Sequence, residues 1–152
     1  LEVVVAITSH GAKGVSSTEG MERSRLTSPF YNQWLRSAGD DYAEASGAIA
    51  TRDFAKLAEV AELSCLKMHS LMLTSSPTLS YWTPASIACM DRIRALRAQG
   101  EAVFFTVDAG PQVKAVCLPE SRLAVTQTLS EVPGVLEILC CPLGEGARII
   151  DD

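Results

Sequence analysis

The stretch AVFFTVDAGPQVKAVCL, residues 102–118, decides the fold of this chain. It holds two apolar runs rich in β-branched and aromatic residues, 102–108 and 112–118, and Ala109-Gly110-Pro111 separates them. A glycine next to a proline between two such runs is a turn signal, so the pattern predicts two antiparallel strands joined as a hairpin. The sequence therefore predicts a sheet that is antiparallel at this point.

Strand and helix patterns flank the hairpin on both sides. Residues 1–8 (LEVVVAIT) predict a strand buried on both faces, and residues 135–141 predict the last strand. Apolar residues at helical spacing predict five helices. They start at Ser28-Pro29, at Tyr42 after a break at Gly39-Asp40-Asp41, at Thr51 or Asp53, at Thr83-Pro84 and at Pro119. We expect residues 15–21 to form a loop and Ala147–Ile150 to add a short edge segment.

The order of these elements is strand, helices, hairpin, helix, strand. It predicts an α+β fold: a two-layer sandwich, with an antiparallel sheet and helices on one side, that is ferredoxin-like at its centre. The chain has 152 residues, so we interpret residues 1–152 as one domain. On the fourth helix we expect Ile87, Met90, Ile93 and Leu96 to face the core, and Arg92, Arg94 and Arg97 to form a solvated face.

Charge and cysteine content restrict the partners and the compartment. There are 13 Lys+Arg against 18 Asp+Glu, a formal net charge of −5, which gives no electrostatic reason to bind nucleic acid. No apolar run approaches the ~20 residues of a membrane span. The five cysteines include no C-x-x-C pair, so we expect reduced, mostly buried thiols in a cytoplasmic protein. Because Leu1 opens a strand at once, we also expect the chain to be a piece of a longer protein.

Asp108 is the first candidate for chemistry. It ends an apolar strand beside the turn. A carboxylate there is either a turn residue that accepts backbone N–H bonds, or a base or orienting group aimed into a cleft. The residues alone leave both readings open. Gly110 lacks a side chain and Pro111 lacks an N–H, so the turn is stiff and a ligand can approach it closely.

The second candidate is the segment Ser16-Ser17-Thr18-Glu19-Gly20. Three hydroxyls and a glycine in one loop can bind an anion, although an ordinary loop that caps a helix has the same composition. The segment lacks the glycine and lysine pattern of a P-loop, so it predicts no nucleotide cradle. His69 is one of two histidines; we expect it to be satisfied by packing and one hydrogen bond, and we expect no metal site.

Taken together, several segments resemble the diphosphomevalonate decarboxylase family of the GHMP kinase superfamily. The resemblance is carried by VSSTEGM (15–21), TSPFY (27–31), Asp53-Phe54 with LAEV (57–60), LKMH (66–69) and FTVDAGP (105–111). These segments follow one another in the expected order over nearly the whole chain, which is similar to the C-terminal half of such enzymes. One departure is Gln112, which stands where an asparagine is usual.

The resemblance implies a reaction and a set of residue roles. Family members use ATP and Mg²⁺ to phosphorylate the tertiary 3-hydroxyl of diphosphomevalonate, after which phosphate and CO₂ leave and isopentenyl diphosphate remains. The family's essential aspartate falls on Asp108, as the base or orienting group at the 3-hydroxyl. Its substrate contacts fall on Ser17 and Thr18, with Gly20 and Met21 shaping the pocket beside them. The resemblance places the ATP loop, and with it most of the contacts to ATP and Mg²⁺, in an N-terminal domain that this chain lacks.

Other functions stay open at this point. The same residues fit a decarboxylase of the monophosphate, a GHMP-type kinase of a mevalonate phosphate, or a non-catalytic remnant that binds a partner or a small anion. The partners that the resemblance implies are diphosphomevalonate and the N-terminal domain of the same enzyme. Because the family often dimerises, a homodimer is a further option.

Overall fold

The computed structural model describes residues 1–146 and 148–149. The strands are β1 (Glu2–Ile7), β2 (Val103–Thr106), β3 (Val113–Cys117) and β4 (Glu137–Pro142). The helices are α1 (Ser17–Thr27), α2 (Tyr31–Thr51), α3 (Phe54–Leu73), α4 (Pro84–Ala98) and α5 (Arg122–Ser130), and a 3-10 turn at Pro119–Ser121 precedes α5. Within the described residues, no helix is long and apolar enough to cross a membrane.

The four strands form one antiparallel sheet in the order β2-β3-β1-β4. β2 and β3 are the predicted hairpin, with Phe105 opposite Ala115. β1 lies between β3 and β4, so Val4 pairs with Ala115 on one side and Cys140 on the other. The first and third strands are thus central and the second and fourth are edges, which is the split β-α-β arrangement of ferredoxin-like folds. The predicted α+β architecture is confirmed.

The core lies between this sheet and the helices. Successive side chains of a strand point to opposite faces, so alternate residues of each strand enter the core. On β1, Val4 and Ala6 are fully buried, whereas Val3 and Val5 are half-buried, so the expected burial of both faces holds for one face. The core cluster includes Val4, Ala6, Cys89, Ile93, Phe105, Ala115, Val125 and Leu129.

Side chains of α3 and α4 cover the free edge of β2. Glu62 of α3 is 8% exposed, and its carboxylate accepts hydrogen bonds from both terminal nitrogens of Arg97 on α4, one of them at 3.0 Å. The same carboxylate accepts a bond from the backbone N–H of Phe105 at 3.2 Å. Arg97, expected on a solvated face, is half-buried, because a carboxylate buried against the sheet needs a cationic partner.

Residues 15–21, expected to be a loop, contain the start of α1. The hydroxyl of Ser16 accepts a hydrogen bond from the backbone N–H of Glu19 at 3.2 Å and caps the helix. Serine followed three residues later by glutamate is the capping-box pattern, and this signal could have revealed the helix. α1 has no apolar stripe to mark it, because the residues that it buries are Gly20 and Ser24.

The helices predicted on either side of Gly39-Asp40-Asp41 are one continuous helix, α2. Ser28, expected to begin the first of them, instead ends α1. Gly39 is exposed, and a glycine in a helix interior costs only about 1 kcal/mol. Asp41 is held by Lys67 of α3, whose Nζ lies 2.7 and 2.9 Å from the two carboxylate oxygens. Packing against α3 therefore outweighs the local break signal.

The predicted caps of the next two helices are confirmed. Asp53 accepts a bond from the backbone N–H of Lys56 at 2.9 Å at the start of α3, and Thr83 forms a capping box with Ser86 at the start of α4. Ile87, expected to face the core, is exposed, because the buried face of α4 runs through other positions. Those positions are Ala85, Ser86, Cys89, Met90, Ile93 and Leu96.

All five cysteines are free thiols, as expected. Cys65, Cys89 and Cys117 are buried, whereas Cys140 and Cys141 are exposed on the edge strand β4. Of the expected edge segment at Ala147–Ile150, residues 147 and 150 lie outside the described residues, and residues 148–149 belong to no strand.

We predict that Gly20→Ala destabilises the protein. A Cβ at this position would lie 2.5 Å from the Tyr81 hydroxyl oxygen and 2.9 Å from a methyl group of Leu79. The Tyr81 hydroxyl donates to the carbonyls at residues 15 and 16, so it resists displacement. Overpacking of this kind typically costs about 1–3 kcal/mol of unfolding free energy, which urea titration measures.

Gly39→Ala is the matched control for this substitution. No atom lies within 4 Å of a Cβ placed there, so replacing an exposed helical glycine should stabilise the protein by up to about 1 kcal/mol. Unfolding free energies that rise equally in Gly20→Ala and Gly39→Ala would contradict the close packing of α1 against Tyr81.

Candidate functional site

Asp108, predicted as the last residue of its strand, lies just past the end of β2 and beside the predicted turn. Its side chain is 78% exposed, and its carboxylate forms an ion pair with Nζ of Lys114 on β3. The turn is closed by the backbone, because the N–H of Gly110 donates to the carbonyl of Asp108 at 2.7 Å. Among the described residues, no backbone N–H donates to the Asp108 carboxylate, so the reading of Asp108 as a turn-capping residue loses its main support.

The far end of the turn is held by two other segments of the chain, the end of β1 and the start of α4. The carbonyl of Pro111 accepts hydrogen bonds from the hydroxyls of Thr8 at 2.9 Å and of Ser86 at 2.6 Å. The side-chain amide of Gln112 accepts from the backbone N–H of Thr8 at 2.7 Å and donates to the carbonyl of Ser9 at 2.6 Å. Gln112, the departure from the family pattern, thus joins the turn to the end of β1.

Lys13 connects the turn to the start of α1. Its Nζ donates to the hydroxyl of Ser17 at 2.9 Å and to the carbonyl of Ala109 at 2.8 Å. The same ammonium lies 5.9 Å from the ring centroid of Tyr81, within the range of a cation–π contact. The two predicted site segments, far apart in the sequence, therefore meet through one lysine.

The remaining predicted site residues occupy different environments around this junction. Thr18 is exposed in the first turn of α1, and its hydroxyl makes no hydrogen bond to the described residues. Gly20 is buried beneath Tyr81, where it permits a close approach that a side chain would block. Met21 is half-buried and packs in a small apolar cluster that also contains Ala109 of the turn. Of the four site residues at the start of α1, Ser17 is the one linked to the turn by hydrogen bonds, through Lys13.

Asp108 lines two clefts. One, of about 400 Å³, is bounded by the turn and residues 11–13, and it brings the ammonium groups of Lys13 and Lys114 to the same space as the carboxylate. The other, of about 420 Å³, lies between α2 and α3 and has aromatic and apolar walls that include Trp34, Tyr42 and Met68. A molecule that binds at Asp108 therefore meets positive charge on one side and an apolar wall on the other.

Behind the turn, two buried side chains of α3 face the end of β2. His69 is 2% exposed, and its Nε2 lies 2.9 Å from the carbonyl oxygen of Val107. Burial lowers the pKa of His69 below its usual value, so the ring is neutral at pH 7. Burial likewise raises the pKa of the Cys65 thiol, which excludes it as a reactive thiolate. The expectation of a packed histidine with one hydrogen bond is confirmed.

The sequence interpretation missed Lys13 and Lys114. Lys13 stands alone between glycines at 11 and 14, and Lys114 lies on a strand where an isolated lysine usually marks a solvated face. The hairpin pattern could have revealed Lys114, because the register of the two strands pairs Lys114 with Thr106. Asp108 follows two residues after Thr106, so its side chain comes close to that of Lys114. Nothing in the sequence signals the bond from Lys13 to the turn.

A metal ion does not fit the residues near Asp108. In the ranges 1–146 and 148–149, no three His, Cys, Asp or Glu side chains lie close enough to hold one. Asp108 offers a single carboxylate, and Lys114 already pairs with it. The expectation that this chain has no metal site stays a prediction.

A family model supports the resemblance along almost the whole chain. The model of the mevalonate 5-diphosphate decarboxylase C-terminal domain matches residues 3–140. Among curated proteins, the diphosphomevalonate decarboxylases of Aspergillus fumigatus and Schizosaccharomyces pombe are each 28% identical to this chain, over 137 and 135 residues. These matches cover 88% and 87% of this chain and 34% of each relative.

Solved structures are similar to the chain in both fold and sequence. The structure of MDDEF in complex with MVAPP matches with a TM-score of 0.88 and 33% identity, over 99% of this chain and 47% of that one. The mevalonate diphosphate decarboxylase of Staphylococcus aureus matches with a TM-score of 0.88 and 31% identity, over 99% and 46%. A complex of MDDEF with MVAPP, AMPPCP and magnesium matches with a TM-score of 0.82 and 35% identity, over 93% and 44%.

The chain spans about a third of the length of these curated relatives and just under half of the solved chains. The matched residues run from β1 to β4 and include both the turn at Asp108 and the start of α1. This chain belongs to the family of the mevalonate 5-diphosphate decarboxylase C-terminal domain.

Proposed function

We propose that this chain is the C-terminal domain of an ATP-dependent decarboxylase that converts diphosphomevalonate to isopentenyl diphosphate, ADP, phosphate and CO₂. The observation that carries the proposal is the setting of Asp108: an exposed carboxylate on a turn held at both ends, beside the ammonium groups of Lys13 and Lys114. Diphosphomevalonate carries several negative charges and a tertiary hydroxyl. The two lysines suit the charges, and the carboxylate suits the hydroxyl.

Asp108 is the catalytic residue of this proposal. A tertiary alcohol is a poor nucleophile, and a carboxylate about 2.6–3.2 Å from it can accept or align its proton. Holding the hydroxyl in line with the γ-phosphate of ATP lowers the barrier further, because phosphoryl transfer depends mainly on position and charge. The turn supports this role because its backbone is held while the Asp108 side chain stays exposed.

Ser17 and Thr18 are the proposed substrate contacts. They are the first residues of α1, where unpaired backbone N–H groups and the helix dipole favour an anion. The Ser17 hydroxyl already accepts a bond from Lys13, so a phosphate oxygen beside it would meet both groups. Gly20 and Met21 shape the pocket from behind by keeping Tyr81 and Ala109 packed against α1.

The proposal assigns most contacts to ATP and Mg²⁺ to an N-terminal domain. The described residues lack a metal-binding cluster, and a related complex contains AMPPCP and magnesium. The reacting groups would then meet between that domain and the two clefts at Asp108. The five free thiols fit a reducing compartment, so we propose the cytoplasm as the location. A homodimer stays a prediction.

Replacing Asp108 tests the proposal. In the complete enzyme, Asp108→Asn keeps the size of the side chain and removes its charge and most of its basicity. We expect kcat for CO₂ release to fall by about 10²–10⁴-fold, the usual range for a positioned acid–base group. The substrate Kd and the melting temperature should change little, because the carboxylate is exposed and asparagine tolerates the same turn.

Asp91→Asn is the control for charge alone. Asp91 is an exposed carboxylate on α4 that pairs with Arg94 at 3.3 Å, away from both clefts. Its substitution should leave kcat unchanged. A normal kcat in Asp108→Asn would remove Asp108 from the mechanism, whatever happened to the melting temperature.

The hydroxyls at the start of α1 give a second prediction. Thr18→Ala removes a side chain that makes no hydrogen bond to the described residues, so a kinetic effect must come from the substrate. A lost hydrogen bond to a charged group weakens binding by about 1.5–3 kcal/mol, or roughly tenfold to a hundredfold. We expect this change in KM with kcat nearly constant, and the same for Ser17→Ala. Ser46→Ala, at an exposed serine of α2, is the control, and a KM that stays at its original value in both site variants would refute the substrate contacts.

A further inference from the structure

Val107, the residue before Asp108, is bonded by α3 through both of its backbone groups. Its N–H donates to Sγ of Cys65 at 3.3 Å, and its carbonyl oxygen lies 2.9 Å from Nε2 of His69. Val107 lies beyond the last paired residue of β2, on an edge of the sheet. Two side chains from α3 therefore take the place that a neighbouring strand would occupy.

The bond to His69 has a defined direction. A carbonyl oxygen only accepts hydrogen bonds, so Nε2 must carry the proton. Because burial lowers the pKa of His69, the ring is neutral and has one N–H, which it gives to Val107. The ring lies against the indole of Trp82, with centroids 4.5 Å apart, and Trp82 in turn packs on the core cluster. The donor is thus fixed in position by packing.

This bond acts on the peptide that carries Asp108. The carbonyl of Val107 and the N and Cα of Asp108 belong to one planar peptide unit. A bond that holds the carbonyl therefore also sets the direction in which Asp108 leaves the strand. The Asp108 carboxylate has Lys114 as its partner and is otherwise exposed, so its position depends on the backbone.

We propose that His69 is a positioning residue for Asp108: its Nε2–H bond to the Val107 carbonyl aims the peptide that presents the catalytic carboxylate. This inference rests on the proposed function, because a positioning role for His69 has meaning only if the Asp108 carboxylate takes part in the reaction. Cys65 assists at the same residue: its Sγ accepts from the Val107 N–H, and its thiol also donates to the Val107 carbonyl over a longer distance of 3.5 Å. His69 itself is buried and lines neither of the two clefts at Asp108.

The test is a pair of His69 variants in the complete enzyme. His69→Gln keeps an N–H donor at similar reach, whereas His69→Leu keeps the bulk and removes the donor. A misplacement of about 1 Å can cost roughly a hundredfold in rate, so we expect His69→Leu to lower kcat by about 10–100-fold. KM for diphosphomevalonate should stay within about threefold, because the interaction that is lost stabilises the transition state and not the bound substrate. His69→Gln should recover most of kcat.

Two further variants separate positioning from loss of stability. Val125→Ala on α5 opens the same core at a residue that lines neither cleft, and it should lower the melting temperature without lowering kcat per folded molecule. Cys65→Ala removes the acceptor for the Val107 N–H and the longer thiol bond to the Val107 carbonyl, but it leaves the 2.9 Å bond from His69, so it should lower kcat less than His69→Leu does. If His69→Leu does not fold, kcat per folded molecule is compared between Cys65→Ala and Val125→Ala, and the inference requires a lower kcat in Cys65→Ala.

A double variant shows whether the effect of His69 on kcat acts through Asp108. In the double variant His69→Leu/Asp108→Asn, kcat should fall no further than in Asp108→Asn alone, because the aimed group is already missing. Two results would overturn this inference: a normal kcat in His69→Leu, or a kcat that falls as far in His69→Gln as in His69→Leu. If Asp108→Asn still lost most of its kcat, the proposed function would stand. A normal kcat in Asp108→Asn would overturn both.

Discussion

The free edge of β2 is bonded to side chains of α3, and the rest of the structure depends on that contact. Glu62, Cys65 and His69 are three and four residues apart, so they lie on one face of α3. They bond to the backbone groups of Phe105 and Val107 that point away from β3. An edge strand normally leaves such groups open to water or to another chain. Here the helix satisfies them and is held against the sheet in one register.

The other elements of the site take their positions from α3. α2 packs on it through the ion pair between Asp41 and Lys67, and the hydroxyl of Ser24 on α1 lies 3.0 Å from that of Ser75, just beyond the end of α3. The start of α1 then comes within reach of Lys13, which also bonds to the turn. The docking of one helix on one strand edge thus helps to form a cleft whose charged side chains come from two distant parts of the sequence, Lys13 and the hairpin with Asp108 and Lys114.

Local signals in the sequence predicted those elements whose structure depends mainly on their own residues. The hairpin around Ala109-Gly110-Pro111 and the caps at Asp53 and Thr83 are of this kind. α1 was missed because it buries Gly20 and Ser24 and has no apolar stripe to show its period. The break at Gly39-Asp40-Asp41 was wrong because a contact with a distant helix overrode a weak local preference.

The candidate site was predictable in its parts and not in its assembly. Asp108 stood out by its place in the turn, and the family resemblance added Ser17 and Thr18. The bond of Lys13 to Ala109, the pair of Glu62 with Arg97 and the contact of His69 with Val107 all join residues far apart in the sequence. Such contacts exist only once the elements have packed together, so no spacing along the chain predicts them.

Amide hydrogen exchange at the free edge of β2 tests this account most directly. The account predicts that the N–H groups of Phe105 and Val107, followed by NMR, exchange as slowly as that of Ala115 in the central strand β3, because side chains of α3 protect them. Exchange as fast as that of an exposed loop amide such as Gly14, in a chain whose Ala115 stays protected, would show that the edge is open and would contradict the account.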